Sequence, residues 1–258
     1  MSAHQFVVGT RFFESNRENA ATSFSNLIAF ITAALSVGAE KVFVAVNSAI
    51  DTSGALTVVG GLGFEQSRVK VFAVTPWGKF VQPLNALLIH GREEFARGVH
   101  FLSASVEVKL TPAIVNALFQ HMDNTTLVVG AAMEGHDYHP GAIEMGANGR
   151  QVPWNTLALW NAERLCRTGF PLIGDGPLGE PKSAGVEEVT AIALQQAMLH
   201  GSDKAIAKLV RVPGIVWDMS GFGGVRRAAH EAKMESKVRR PAAQLVAARL
   251  SPPVVHHI

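Results

Sequence analysis

The chain has 258 residues, 17% of them charged, with 23 Lys and Arg against 21 Asp and Glu. A chain of this length can bury a large core without metals or disulfides, and its balanced charge argues against a nucleic-acid binder or an acidic-tail protein. The lone cysteine, Cys166, excludes an intrachain disulfide and agrees with a reducing compartment.

Met1 to Phe13 has no basic segment followed by an apolar run, so no signal peptide is predicted. The most apolar window, Phe24 to Ala39, is interrupted by Ser25, Asn26, Thr32 and Ser36 and falls short of the roughly 20 residues that span a bilayer. A cytoplasmic protein without a membrane span is expected.

In chain order, β-branched runs appear at Phe6–Val8, Val42–Val46, Val69–Val74, Val99–Leu102 and Leu127–Val129. Several are continuously apolar, as in parallel strands covered on both faces. Between the first two, Leu27, Ile31, Ala34 and Leu35 recur at helical spacing and Gly38 supplies a stop. Leu84, Leu87, Leu88 and Phe95 mark a second helix, and Ala113 to Met122 a third after Pro112. The alternation predicts an α/β fold, a mainly parallel central sheet with helices on both faces in three Rossmann-like layers.

Beyond Gly130 the pattern changes. A loop rich in Gly, His and Pro runs from Met133 to Pro153, and a Trp-containing helix is expected near Asn155. After an irregular stretch, Gly174 to Gly185, a helix with Val189, Ile192, Ala193 and Leu199 on one face follows. Ile215-Val216-Trp217 reads as a late strand. Residues 223–258 carry seven basic side chains against Glu231 and Glu235 and read as a peripheral helix followed by loose chain. A basic face of this kind is by default solvated, and would otherwise attach to an acidic partner or anionic surface.

Several chemistries are disfavoured by their motifs. Gly9 is followed by Thr10, Arg11, Phe12 and Phe13 where a dinucleotide loop needs small residues, and the Gly60-Gly61-Leu62-Gly63 cluster lacks the spacing. No Walker loop and no Gly-x-Ser-x-Gly elbow is present. Cys166 reads as a buried structural thiol, and His256-His257 as a surface pair.

Over residues 5–200 the order of segments resembles the nucleotide-diphospho-sugar transferase fold, the GT-A type of glycosyltransferase. Phe6 to Thr10, the helix around Leu27, the turn Asn47-Ser48-Ala49-Ile50-Asp51-Thr52-Ser53, and Trp77-Gly78-Lys79 with Leu84-Asn85-Ala86-Leu87 carry the likeness. The resemblance implies that Thr10, Arg11, Asn47, Asp51, Gly78, Lys79, Asn85, Ser103 and Ser105 line a site for a UDP- or GDP-linked sugar. It also implies a single GT-A-like domain over residues 1–222, with 223–258 a basic C-terminal helix and tail. Where the family places a metal-binding Asp-x-Asp, this chain has Ser103-Ala104-Ser105, with Glu107 the nearest carboxylate. Serine hydroxyls are poor ligands for the Mn or Mg that the family uses. A replacement set lies in the Gly/His loop at His136, Asp137 and His139, beside Glu134, although such loops are common without metal.

Further along, the segment around Trp154 and Asn155 is similar to the family's acceptor region, and Trp154 would stack on a sugar. Glu187 and Glu188 stand where inverting members carry the general base. Acids at a helix N-terminus also follow from the helix dipole alone. The expected function is sugar transfer without the usual metal site; the alternative is a catalytically inactive binding or scaffolding protein on the same fold.

Overall fold

The computed structural model describes residues 4–13, 20–47, 60–61, 63–65, 67–177, 180–199, 205–219 and 224–258. Its strands are β1 (Phe6–Phe12), β2 (Val42–Asn47), β3 (Val69–Val74), β4 (His100–Ala104), β5 (Thr126–Ala131), β6 (Ile143–Met145), β7 (Leu157–Trp160), β8 (Ile206–Val210) and β9 (Val254–His257). The helices are α1 (Ala20–Ser36), α2 (Val81–Phe95), α3 (Pro112–Gln120), α4 (Ala162–Leu165), α5 (Glu187–Met198), α6 (Gly224–Ser236) and α7 (Arg240–Ala248).

All nine strands join one sheet in the order β3-β2-β1-β4-β7-β5-β8-β9-β6. β1 pairs in parallel with both β2 and β4, whereas β7 runs antiparallel to β4 and β5, and β6 antiparallel to β9. The sheet is thus mixed but mainly parallel, and the α/β architecture matches the expectation from the sequence.

Strand periodicity explains the three layers. Along β2, Phe43 and Ala45 face one core while Val42, Val44 and Val46 face the other, and Phe101 and Leu102 of β4 divide in the same way. One core is completed by α2 and α5 through Leu84, Leu87, Val189 and Ile192. The opposite core is completed by α1 and α3 through Leu27, Ile31, Ile114 and Leu118. Thr111 caps α3, its Oγ1 accepting from the Ile114 N–H at 3.3 Å, and Pro112 occupies the first turn, where no N–H is needed.

The second half departs from expectation. The Trp-containing segment is the strand β7, not a helix. All four of its residues are buried, so no alternation marks it, and a short apolar run of this kind does not distinguish strand from buried helix. Ile215-Val216-Trp217 contributes only an isolated bridge, Val108 to Trp217. Residues 254–257, expected as loose chain, lie inside the sheet between β8 and β6. Cys166 is exposed at the end of α4 rather than buried. No helix among the described residues is long and apolar enough to cross a membrane.

Candidate active site

The chain runs from β1 outward through β2 to β3, then returns to place β4 on the other side of β1. In open α/β sheets this reversal opens a crevice beyond the carboxyl ends of the two strands, where ligands bind. Two adjoining cavities lie here, of about 330 Å³ and 530 Å³, both lined by Arg11, Ser105, Glu107 and Lys233. The smaller adds Ser103, Asn155, Trp217, His230 and Lys237; the larger adds Phe13, Asn26, Trp77, Gly78, Lys79 and Phe80.

Arg11 reaches the cleft because β1 is held in register on both sides, Arg11 opposite Ala45 and Gly9 opposite Ser103. Gly9 is needed for packing: a Cβ there would lie 2.3 Å from Phe101 Cε2. The Arg11 guanidinium donates to the Phe80 carbonyl at 3.3 Å and sits 3.5 Å from Glu187. Thr10 is buried behind it, and its Oγ1 has no hydrogen-bond partner among the described residues.

Facing the strands is a wall built by α5, α6 and the turn before α7. Val186 precedes α5 with φ 60°, a left-handed conformation that is costly for a β-branched residue, on the order of 1–3 kcal/mol. α7 holds this turn: the Gln244 amide donates to the carbonyls of Ser183 and Gly185, both at 2.6 Å, and Arg240 donates to Ala184 at 3.0 Å. The turn aims Glu187 and Glu188 inward, where both are buried. Glu188 accepts from the Asn155 N–H and Glu187 from the Asn155 side chain at 3.3 Å. Burial, reinforced by the neighbouring Glu187 charge, pushes the Glu188 pKa up to about 7.

Lys237, only 7% exposed, lies with its ammonium 3.2 Å from the centre of the Trp154 ring. Burial pulls its pKa down to about 7, against the opposing pull of Glu188. Lys233, with Nζ 4.4 Å from the Phe80 ring centre, is also held below the usual lysine range by burial. Neither Glu187 nor Glu188 lines the cavities, whereas Asn155 and Lys237 do. The carboxylates therefore form a buried layer, and Lys237 and Lys233 are the buried titratable groups beside it that meet the cavities.

The structure thus brings Arg11, Gly78, Lys79, Ser103, Ser105 and Asn155 into the cleft, with Glu187 and Glu188 behind it. Thr10 is adjacent, Asn47 ends β2 outside the cavity lining, and Asp51 falls outside the described residues. Asn85 is a structural clip, its amide closing both backbone bonds of Phe170 at 2.9 and 2.8 Å. The positive-φ turn at Gly78 leads into α2, but the N–H groups of Lys79, Phe80 and Val81 already donate to Asp175. Trp154, 1% exposed and stacked on His136 at 3.6 Å, has no open face for a sugar.

The Ser103-Ala104-Ser105 segment does not fit a hard cation. Ser103 Oγ donates to the Asn155 carbonyl at 2.9 Å and Ser105 Oγ donates to Glu107, so neither hydroxyl offers a charged oxygen, and Arg11 and Lys233 line the same space. His136, Asp137 and His139 do not converge either. His136 is bonded to Met133 and Val152, with its pKa lowered to about 3 by burial first and then by Lys237. Asp137 pairs with Arg150 at 3.1 Å, and His139 turns to Glu144 at 2.9 Å.

Lys233 and Lys237 were missed by sequence reasoning, which placed them on a solvated face. Their spacing of four residues, Lys233 on α6 and Lys237 just past its end, flanked by the apolar Met234, was the available signal.

No family model matches the sequence, and no curated protein matches it. Among solved structures the chain is similar to a mannosyltransferase from Pyrobaculum calidifontis in complex with GDP-Man and Mn2+, at 14% identity over 96% of this chain and 70% of that chain, with a TM-score of 0.48. It is also similar to mouse xyloside xylosyltransferase 1 in its apo form, at 12% identity over 78% and 79% of the two chains, with a TM-score of 0.32.

Proposed function

We propose that the chain is a glycosyltransferase of the GT-A type that binds a nucleotide-diphospho-sugar with protein cations in place of a divalent metal. The observation that carries this reading is the pairing, in one cleft, of cations at the strand ends with a buried carboxylate–amine couple. Arg11 and Lys233, shared by both cavities, supply positive charge where a diphosphate would lie. The larger cavity has the volume of a small-ligand site, and its Phe13 and Trp77 rings, 26° from parallel and 6.0 Å apart between centres, offer an apolar wall to a base. Trp217 Nε1, on the smaller cavity, is a buried donor without a partner among the described residues, which a ligand oxygen would satisfy.

In the transfer step the acceptor hydroxyl gives its proton to the Lys237 amine, which is neutral beside a Glu188 carboxylate when the couple holds no proton, above about pH 7. The acceptor oxygen bonds to the anomeric carbon as the bond to the diphosphate breaks, and the electron pair leaves on a phosphate oxygen beside Arg11 and Lys233. Glu188 stabilises the ammonium formed.

Calorimetric titration of the full chain with UDP and with GDP, in EDTA and again with Mn2+, tests the binding half of this reading. Saturable binding in EDTA, weakened at least tenfold by Arg11→Ala and by Lys233→Ala, is expected. No binding under either condition would overturn it. Binding without any turnover of sugar donors would leave the alternative, an inactive binding protein, for which the internally bonded Ser103 and Ser105 are the specific observation.

A further inference from the structure

We propose that His139, Glu144 and His257 form a binding site for a divalent cation of the zinc class, outside the cleft cavities, that ties β9 to the loop after β5 and to the edge strand β6. One ligating atom from each residue lies within 4.8 Å of the other two. None of the three lines either cleft cavity.

The hydrogen bonds around the cluster orient its ligands. His257 Nδ1 accepts from the His139 backbone N–H at 3.0 Å, so the ring proton resides on Nε2, which donates to the Gln151 carbonyl at 3.0 Å. A ligating imidazole characteristically gives its other N–H to a carbonyl in this way, which fixes ring and tautomer. Gln151 acts twice, because its side-chain amide also donates to Glu144 Oε2 at 3.1 Å and leaves Oε1 facing His139 Nδ1 at 2.9 Å. The His257 backbone is itself strapped to the loop, its N–H donating to Ala142 at 2.9 Å and its carbonyl accepting from Gly141 at 2.8 Å.

His257 is 1% exposed, whereas the side chains of His139 and Glu144 are 62% and 24% exposed. Metal bonds of about 2.0–2.1 Å put tetrahedral ligands roughly 3.4 Å apart. The cluster must contract by a little over an ångström, and exposed His139 can make that move. Its N–H leaves His257 Nδ1 and turns to water as the cation takes the lone pair. Two imidazoles and one carboxylate suit Zn2+ rather than Mg2+ or Ca2+, with water in the fourth position.

Titration of the metal-free full chain with Zn2+ at pH 7, without nucleotide, tests the site. One saturable site is expected, weakened at least tenfold in both His139→Ala and Glu144→Gln. These positions are not buried, so both variants should match the parent in melting temperature without metal. Zn2+ should raise the melting temperature of the parent alone, and Co2+ should give the visible absorption of a tetrahedral complex in the parent alone. Absence of saturable Zn2+ binding, or binding that survives in either variant, would overturn the three-ligand site.

Discussion

The two walls of the cleft use polar groups in opposite ways. On the strand wall, Arg11, Ser103 and Ser105 extend from a backbone committed to sheet hydrogen bonds, and both serine hydroxyls are consumed inside the chain. On the helical wall, Glu187, Glu188, Lys233, Lys237 and Arg240 gather charges of both signs in a largely dry space, with a strained Val186 at its start. The strand wall sets the shape of the site, and the helical wall holds its buried carboxylates and lysines. Local strain and buried charge tend to collect where chemistry is done.

The sharpest way to break this contrast is to remove one side of the buried couple. Lys237→Ala leaves the buried Glu188 without the cation that draws it towards its charged form and should cost about 3 kcal/mol in urea denaturation at pH 7. Glu188→Gln should cost far less, because burial already favours the uncharged carboxyl and Gln can still accept from the Asn155 N–H. Transfer activity should nevertheless fall by about 10²-fold or more in both. The pH dependence follows from the two directions. Glu188, raised from 4.5 to about 7, contributes stability that is full below 4.5 and lost as pH rises through 7. Lys237, lowered from 10.5 to about 7, contributes stability that is full above 10.5 and lost as pH falls through 7. Their joint contribution is therefore smallest near neutrality, and Glu188→Gln combined with Lys237→Met should remove that dip. A dip that persists in the double variant would show that other groups carry it.

How much of each wall was legible follows from the same contrast. β1 to β5 announce themselves as β-branched runs, and Arg11 can be placed by counting from the first. Glu187 and Glu188 are visible as an acidic pair opening a helix, although burial, which separates a base from a dipole partner, is not written locally. β7 is hidden because both its faces are covered, Ala158 and Trp160 on one core and Leu157 and Leu159 on the other. Lys233 and Lys237 are hidden because four-residue spacing looks the same whether the helix face meets water or a cleft. Asp175 is hidden because its partners, Lys79 to Val81, are remote in sequence and offer only backbone N–H groups.

His136 sharpens the comparison next, since it is the titratable group placed behind Trp154 on the side of the Gly/His loop. Its pKa, lowered from 6.5 to about 3, means that it folds neutral: its contribution is full above 6.5 and lost as pH falls through 3. Allowing for partial solvent access, a loss on the order of 2 kcal/mol is expected between those values. His136→Gln should flatten this acid limb in urea midpoints compared at pH 7 and pH 4. An unchanged limb would mean that the imidazole is already charged in the folded state.

A smaller effect is expected at Asp175, whose carboxylate accepts from three N–H groups at the start of α2. Asp175→Ala should lower stability by about 1 kcal/mol through loss of the cap, and Asp175→Ser should recover part of it. Binding of UDP in EDTA should stay within twofold in Asp175→Ser if the anion site is Arg11 and Lys233 rather than this helix end. Tighter binding in the variant would move the diphosphate to the freed N–H groups at the α2 terminus, away from both Arg11 and Lys233.

The smallest expected effect tests whether strain on the helical side is confined to the site. Arg249 ends α7 with φ 55°, a conformation that glycine adopts without a Cβ clash, and its side chain is exposed. Arg249→Gly should therefore raise stability by about 0.5 kcal/mol, offset slightly by the greater freedom of glycine in the unfolded chain. Val186 has nearly the same φ but a buried side chain, 3% exposed, on which Gly149 packs closely. Val186→Gly should lose that packing and destabilise despite relieving the same backbone conformation. Opposite signs at the two positions would show that the left-handed turn before α5 is retained for what its side chain and the following carboxylates do. A gain at both would show that the turn is merely tolerated.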